Sequence, residues 1–147
     1  MKKVTTLSVA LFVLFLFVVS SSLFAQTYGK VLKKTKANRL FGRVYQSSKM
    51  NVKDFTKIVD QSSNVVMLNI LKKQLFILGD KRKVLYPAKA TVDSTTVFHV
   101  FSISKVEELL KANKDTTITV ELRKKHLTVT HGMSTLEYSS LCPPWCP

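Results

Sequence analysis

Two segments of the chain alternate apolar and polar residues on both sides of a lysine pair, and this pattern restricts the fold more than any other feature. VVMLNIL and LFIL flank Lys72 and Lys73, while TITVEL and HLTVT flank Lys124 and Lys125. Alternation places every second side chain on the same face of a strand. Both segments therefore predict antiparallel hairpins with lysines near their turns.

The turn positions also predict the register of each hairpin, because residues at equal distance from a turn face each other. In both hairpins the apolar side chains then gather on one face, which makes the register self-consistent. The expected pairs are Ile70 with Leu75, Leu68 with Ile77, Leu122 with Leu127, Val120 with Val129, and Ile118 with His131.

Further strands and two short helices complete the predicted domain. Asn51–Gln61 has an N-capping Asn and an apolar stripe, and Ser104–Ala112 opens with the capping-box pattern Ser-x-x-Glu. The remaining expected strands are Arg39–Gln46, Val84–Tyr86 beside Phe76–Leu78, Thr95–Ile103, and Thr135–Ser139 with Leu136 opposite Leu127.

These elements predict a small antiparallel, β-rich α+β domain of six or seven short strands with two short helices. Residues 26–38 are polar and basic without a clear period, so we expect a flexible arm there. Residues 39–140 form the single domain, and residues 141–147 form a terminal clip rich in Cys and Pro.

The first 25 residues have the layout of a secretory signal peptide. Lys2 and Lys3 precede an apolar stretch from Val9 to Val19, and small residues lead to Ala25. An apolar run of this length falls well short of the ~20 residues that a membrane-spanning helix needs. We therefore expect cleavage near Ala25, export to a periplasm or out of the cell, and a mature chain without a transmembrane span.

The mature chain is strongly basic, with 21 Lys and Arg against 9 Asp and Glu. A field of this sign attracts polyanions. For an exported protein we expect an anionic lipid or polysaccharide surface, or an acidic protein, rather than nucleic acid; a solvated surface without a partner is the alternative. The candidate partner-binding residues are Lys81, Arg82, Lys83, Arg123, Lys124, Lys125 and Trp145.

Catalytic signatures do not emerge from the residue pattern. The four glycines are dispersed, whereas a nucleotide-binding loop needs several close together. We expect His99 to be structural, because its strand is apolar, and expect His126 and His131 to lie on opposite strand faces. Glu121 and Glu137 are expected at the surface. The sequence therefore predicts neither an enzyme nor a cofactor.

Both cysteines lie at the C-terminus, in Cys142-Pro-Pro-Trp-Cys146-Pro. In an oxidising compartment two Cys this close are expected to pair. The segment resembles, over six residues, the C-x-x-x-C-P motif of Sco-type copper-delivery proteins, although that motif lies early in a thioredoxin-like fold. The resemblance implies two thiolate ligands for copper, with His126 or His131 as the histidine.

Two functional hypotheses follow from these observations. The first is an exported, non-catalytic basic domain that binds an anionic envelope component or a protein partner. The second is a thiol/disulfide or copper-handling protein that acts through Cys142 and Cys146, with His131 as the further metal ligand. Three states of the cysteines stay open at this point: a structural clip, a redox-active or metal-binding pair, and disulfides between chains.

Overall fold

A computed structural model describes residues 27–124, 126–143 and 146. Within these residues it has ten strands, three α-helices and a short 3-10 turn at Asp80–Arg82. The helices are α1 (Lys34–Phe41), α2 (Val52–Val59) and α3 (Ile103–Lys111). The strands are β1 (Lys30–Lys33), β2 (Val44–Asn51), β3 (Val65–Leu71), β4 (Gln74–Leu78), β5 (Val84–Tyr86), β6 (Phe98–Ser102), β7 (Thr117–Arg123), β8 (Leu127–His131), β9 (Ser134–Glu137) and β10 (Ser140–Cys142).

The strands of the described region form two antiparallel sheets of five strands each. Sheet A has the order β1-β9-β8-β7-β2, and sheet B has the order β10-β6-β3-β4-β5. The chain passes from sheet A to sheet B through α2 and returns through α3. The predicted β-rich, antiparallel class is therefore confirmed, with more strands and one more helix than expected.

The main hydrophobic core joins side chains of both sheets to the buried faces of α2 and α3. Phe55 and Val59 face inward from α2, and Val106 and Leu109 do so from α3. Their spacing of three or four residues places each pair on one helix face. The sheets contribute Val66, Leu68, Ile70, Leu75, Ile77, Phe101, Ile118, Val120, Leu127, Val129 and Leu136.

The opposite faces of the two sheets differ in chemistry. Sheet B has a second apolar cluster there, which contains Met67, Phe98 and Cys142. The opposite face of sheet A instead has buried polar and charged side chains, among them Glu121 and Glu137. A buried polar face is unusual in a domain of this size, because each polar group needs a partner to offset its lost hydration.

The hairpin registers predicted from the lysine pairs are confirmed. In β3–β4, Ile70 pairs with Leu75 and Leu68 pairs with Ile77. In β7–β8 all three expected pairs are found, including Ile118 with His131. The return of β5 beside β4 is also confirmed.

The turn between β3 and β4 offers a test of local strain. Lys72 and Lys73 have φ angles of 49° and 69°, a conformation that Asn-Gly adopts more easily than Lys-Lys. We expect the Lys72→Asn, Lys73→Gly variant to raise the free energy of unfolding by about 0.5–1 kcal/mol in urea denaturation. A double Ala variant removes the same charges but keeps both Cβ atoms; an equal gain from that variant would refute the explanation from backbone strain.

The segment expected to be a flexible arm differs from its prediction. Residues 30–38 are not a flexible arm, because β1 pairs with β9 and α1 follows directly. Anchoring starts before β1, where the backbone N–H of Ser102 donates to the carbonyl oxygen of Tyr28 at 2.9 Å. The expected strand at Arg39–Gln46 is wrong in its first half, because α1 extends to Phe41. The proposed signal peptide lies outside the described residues.

Two further expectations are wrong for identifiable reasons. Helix α3 begins at Ile103, before the predicted capping box, and Ser102 precedes it without a side-chain cap. The Ser102 hydroxyl instead accepts the backbone N–H of Tyr28 at 2.8 Å. Leu136 pairs with Val129 rather than with Leu127, because the β8–β9 turn lies after His131 and shifts the register by two residues.

Candidate functional site

The outer face of sheet A, called the polar face below, collects polar side chains from three neighbouring strands. Alternation sends the apolar residues of β7, β8 and β9 into the core and leaves the polar ones on the other side. The cross-strand pairs Thr119 with Thr130 and Thr130 with Thr135 show that these positions share a face. Its members are Thr117, Thr119, Glu121, Arg123, Thr128, Thr130, Thr135 and Glu137.

Helix α1 lies over part of the polar face and is held there by Arg123. The Arg123 guanidinium donates to the side-chain oxygen of Asn38 at 2.9 Å and to the carbonyl oxygen of Gly42. Ala37 is fully buried in the same helix. The cover makes this end of the polar face inaccessible to solvent.

Glu121 is the centre of a satisfied hydrogen-bond network beneath this cover. Its carboxylate pairs with Arg123 at 2.7 Å and accepts the hydroxyls of Thr128 at 3.1 Å and Thr130 at 3.3 Å. Thr130 also lies 3.1 Å from the hydroxyl of Thr135. The ion pair and the hydroxyls together replace the water that the Glu121 carboxylate loses on burial.

Glu137 is the opposite case within the same cluster. The residue has no exposed surface, and neither carboxyl oxygen has a hydrogen-bond partner among the described residues. Burial raises the pKa of Glu137 to about 8; nearby Glu121 adds to the rise, while Arg123 opposes it. Glu137 therefore holds its proton at neutral pH, which avoids an unpaired buried charge.

Beside the covered network, the polar face opens into a cleft of about 350 Å³. Its two basic lining residues are Lys34, at the start of α1, and Lys49, on the edge strand β2. The rest of the lining consists of Asp115, Thr116, Thr117, Thr119, Thr130 and Gly132. Because Thr130 also touches Glu121, the cleft is continuous with the buried network.

Among the described residues, the lysines of the cleft have no acidic partner. The described residues contain three ion pairs, which involve Lys105, Lys111 and Arg123. Lys34 and Lys49 belong to none of them. Their charges are therefore available to a ligand, and the hydroxyls between them can donate or accept hydrogen bonds.

The predicted site at 81–83 divides into two parts. Lys81 and Lys83 are exposed at the turn before β5. Arg82 instead points inward: it donates to the carbonyl oxygens of Thr96 at 3.0 Å and Asp93 at 3.2 Å, and its guanidinium lies 5.3 Å from the centre of the Phe98 ring. Arg82 therefore fixes the loop before β6, while its two neighbours face solvent.

The structure also separates the residues of the predicted site at 123–125. Arg123 is only 2% exposed and is paired with Glu121, so its assignment to a surface patch is wrong. Lys124 is exposed. Lys125 and Trp145 lie outside the described residues.

The histidines are separated, as expected. His99 lies 2.8 Å from the Ser139 hydroxyl, and burial together with nearby His126 lowers the pKa of His99 to about 4. His131 is buried, with its ring nitrogens 2.9 Å and 3.3 Å from the carbonyl oxygens of Asp115 and Leu109. His126 is exposed and lies 4.9 Å from the Phe41 ring.

Cys142 and Cys146 form a disulfide, with their Cα atoms 4.9 Å apart. Cys142 packs on the outer face of sheet B, whereas His131 belongs to sheet A and contacts two carbonyl oxygens. The described residues contain no group of three or more His, Cys, Asp or Glu able to hold a metal ion. The copper ligand set implied by the motif resemblance is therefore not brought together.

The buried carboxyls were missed by sequence reasoning. Glu121 and Glu137 were expected at the surface, but the first is 8% exposed and the second is fully buried. The available signal was the polar alternation Thr117, Thr119, Glu121 along β7, continued by the threonines of β8 and β9. That alternation identifies a polar face but does not reveal that α1 covers it.

Comparison of the chain with protein-family models, curated proteins and solved structures gave no match. No helix in the described part of the chain combines the length and apolar character needed to cross a bilayer. The function must therefore be argued from the chemistry of this chain's own residues.

Proposed function

We propose that this protein is an exported, non-catalytic domain that binds an anionic polysaccharide in the cleft of the polar face. The observation that carries the proposal is the cleft lining, in which Lys34 and Lys49 flank a row of threonine hydroxyls. Ammonium groups attract carboxylate or sulfate groups, and hydroxyls bond the hydroxyl groups of sugars.

The composition of the cleft favours a glycan over other anions. An acyl chain or an apolar peptide side chain would find little apolar surface there, because every lining residue is polar or Gly. Asp115 would repel a simple inorganic anion, but its carboxylate can accept a hydrogen bond from a sugar hydroxyl. A ligand with both anionic and hydroxyl groups uses all of these side chains.

The charge around the cleft supports a polymeric ligand. Exposed cations lie on β1 and α1, next to the cleft, and include Lys30, Lys33, Lys36 and Arg39. Such a surface raises the rate at which a polyanion is captured and holds it beyond the cleft itself. Lys49 has a second role, because a lysine on an edge strand discourages pairing with another chain.

The non-catalytic part of the proposal rests on how the two buried carboxyls are used. Glu121 is engaged by Arg123 and two threonines. Glu137 is fully buried and is not among the residues that line the cleft. A general acid or base must reach the substrate directly or through one water, and neither carboxyl lies where a ligand in the cleft would reach it.

Reversing both cleft charges tests the proposal. We expect the Lys34→Glu, Lys49→Glu variant to bind a sulfated or carboxylated oligosaccharide at least about tenfold more weakly at low salt, because two attractions become repulsions. Isothermal titration calorimetry measures the loss. The Lys53→Glu, Lys57→Glu variant has the same change in net charge on the exposed side of α2 and serves as the matched control.

A third variant, Lys81→Glu with Lys83→Glu, tests the predicted basic turn without disturbing Arg82. Equal losses in all three variants would indicate non-specific attraction and would contradict a dedicated cleft. A loss confined to the Lys81 and Lys83 variant would move the site to that turn. Tight binding to anionic lipid vesicles without binding to either oligosaccharide would overturn the choice of ligand.

A further inference from the structure

The two sulfur atoms of the C-terminal disulfide differ in their exposure to solvent. Cys142 is fully buried, since it ends β10 and pairs with Phe98 on β6. Cys146 is exposed. An incoming thiolate therefore has access to one sulfur of the bond, and cleavage would release the other sulfur inside the protein.

Arg82 lies beside the buried sulfur. One terminal nitrogen of its guanidinium is 3.2 Å from Cys142 Sγ and 3.4 Å from the Cys142 carbonyl oxygen. The other terminal nitrogen is held by the carbonyl oxygens of Asp93 and Thr96. The guanidinium is thereby fixed with one N–H directed at the sulfur.

The charge of Arg82 is not neutralised by a carboxylate in direct contact, since the described residues place it in no ion pair. Asp93 interacts electrostatically with it, but the Asp93 carboxylate is engaged by the backbone N–H and hydroxyl of Thr95. Guanidinium next to sulfur stabilises a thiolate more than it stabilises a disulfide.

We propose that Cys142–Cys146 is a redox-active disulfide that oxidises thiols, with Cys146 as the attacked sulfur and Arg82 as the residue that stabilises the departing Cys142 thiolate. The proposal is independent of ligand binding in the cleft. It gives Arg82 an electrostatic role at the disulfide, in addition to its hydrogen bonds to the loop before β6.

The reaction balances as an ordinary thiol–disulfide exchange. An external thiolate attacks Cys146 Sγ, the bond between the two cysteines breaks, and its electron pair leaves on Cys142. A mixed disulfide at Cys146 results. A second external thiolate then attacks the external sulfur of that mixed disulfide, which releases an external disulfide and leaves both cysteines reduced. Two thiols have then been oxidised and one disulfide of the protein reduced.

The equilibrium with glutathione tests the role of Arg82. We expect Arg82→Met to disfavour the reduced form about tenfold relative to wild type, which corresponds to a reduction potential about 30 mV lower. Arg82→Lys, which keeps the positive charge, is expected to recover part of the loss. Lys83→Met on the same turn is the matched control, since Lys83 is exposed. Trp145, the only Trp of the chain and located between the cysteines in sequence, provides a fluorescence signal.

A second measurement does not depend on the folding of Arg82 variants. Partial reduction of the wild-type protein by glutathione, followed by peptide mapping, is expected to find the mixed disulfide on Cys146 and not on Cys142. Glutathionylation mainly at Cys142 would overturn the proposal, as would equal potentials for Arg82→Met and Lys83→Met. If excess glutathione does not reduce the wild-type disulfide, the disulfide is purely structural and the proposal is wrong.

Discussion

Replacement of Glu137 by Gln is expected to stabilise the protein above pH 8 by a few kcal/mol. The upper bound is about 5 kcal/mol, from a pKa raised from 4.5 to about 8 at ~1.4 kcal/mol per pKa unit. Gln resembles the protonated carboxyl in shape and charge. The variant therefore removes the penalty of ionising Glu137 inside the protein.

The direction of the pH dependence follows from proton binding. Between pH 4.5 and 8 the folded protein keeps the Glu137 proton, whereas the unfolded chain has released it. The contribution of Glu137 to stability is therefore complete below pH 4.5 and is lost as the pH rises through 8. His99 acts in the opposite direction: with a pKa lowered from 6.5 to about 4, its contribution is present above pH 6.5 and is lost toward pH 4.

The pH ranges in which Glu137 and His99 change the stability overlap only below pH 6.5. The decline in the free energy of unfolding between pH 6.5 and 8 therefore isolates the contribution of Glu137. Charged groups on the polar face near Glu137 are Glu121, Arg123 and the cross-strand neighbour Lys30. Urea denaturation at pH 6.5 and pH 9 measures the effect. Glu107→Gln, on the exposed side of α3, is the control. A wild-type protein equally stable at both pH values would contradict a buried, protonated Glu137.

Replacement of Arg123 by Met is expected to have the opposite effect, a loss of about 3–5 kcal/mol at neutral pH, because it leaves Glu121 charged, buried and without its cation. It also removes the bonds to Asn38 and Gly42 that hold α1 over the polar face. Thermal and urea denaturation both measure the loss.

A double-mutant cycle separates the ion pair from the rest of the effect. Glu121→Gln combined with Arg123→Met removes both charges, so the double variant is expected to be more stable than the sum of the single losses predicts. Lys124→Met, one residue along the chain and exposed, is expected to change stability by less than about 0.5 kcal/mol. An Arg123→Met variant as stable as this control would refute the role of the buried pair.

The hairpins could be predicted because their information is local. The turn positions and the alternation of Leu, Ile and Val around each lysine pair fix which residues face each other, and the β3–β4 and β7–β8 registers agree with that pattern. Helix α2 could be predicted for the same reason. The side chain of Asn51 accepts the backbone N–H of Lys53 at 2.9 Å, as its capping position predicts.

Helix α1 could not be predicted in this way. Its sequence KTKANRLF has little apolar character, and Lys33 before it provides no side-chain cap. The helix is held by tertiary contacts: Arg123 bonds to its C-terminal region, and the backbone N–H of Lys34 donates to the carbonyl oxygen of Met133 at 2.9 Å. Such contacts are formed by residues about 85 to 100 positions away in the sequence.

The candidate site was hidden for a related reason. Lys34 belongs to α1, while Lys49 lies on the opposite edge of sheet A from β1, and only the strand order brings them to one cleft. Helix α1, which contributes Lys34 to the cleft, also packs against β9, the strand that contains Glu137. Charge counting shows that the sequence is basic, but the candidate residues drawn from it lie at the hairpin tips and not in the cleft.

Mapping an anionic oligosaccharide onto the protein by amide chemical shifts tests the central claim most directly. Titration of the ¹⁵N-labelled protein is expected to shift the amides of Lys34, Lys49, Thr117–Thr119 and Thr130, with a midpoint that rises steeply with salt. Shifts centred on 81–83, or small shifts spread over all exposed lysines, would contradict a binding site in the cleft of the polar face.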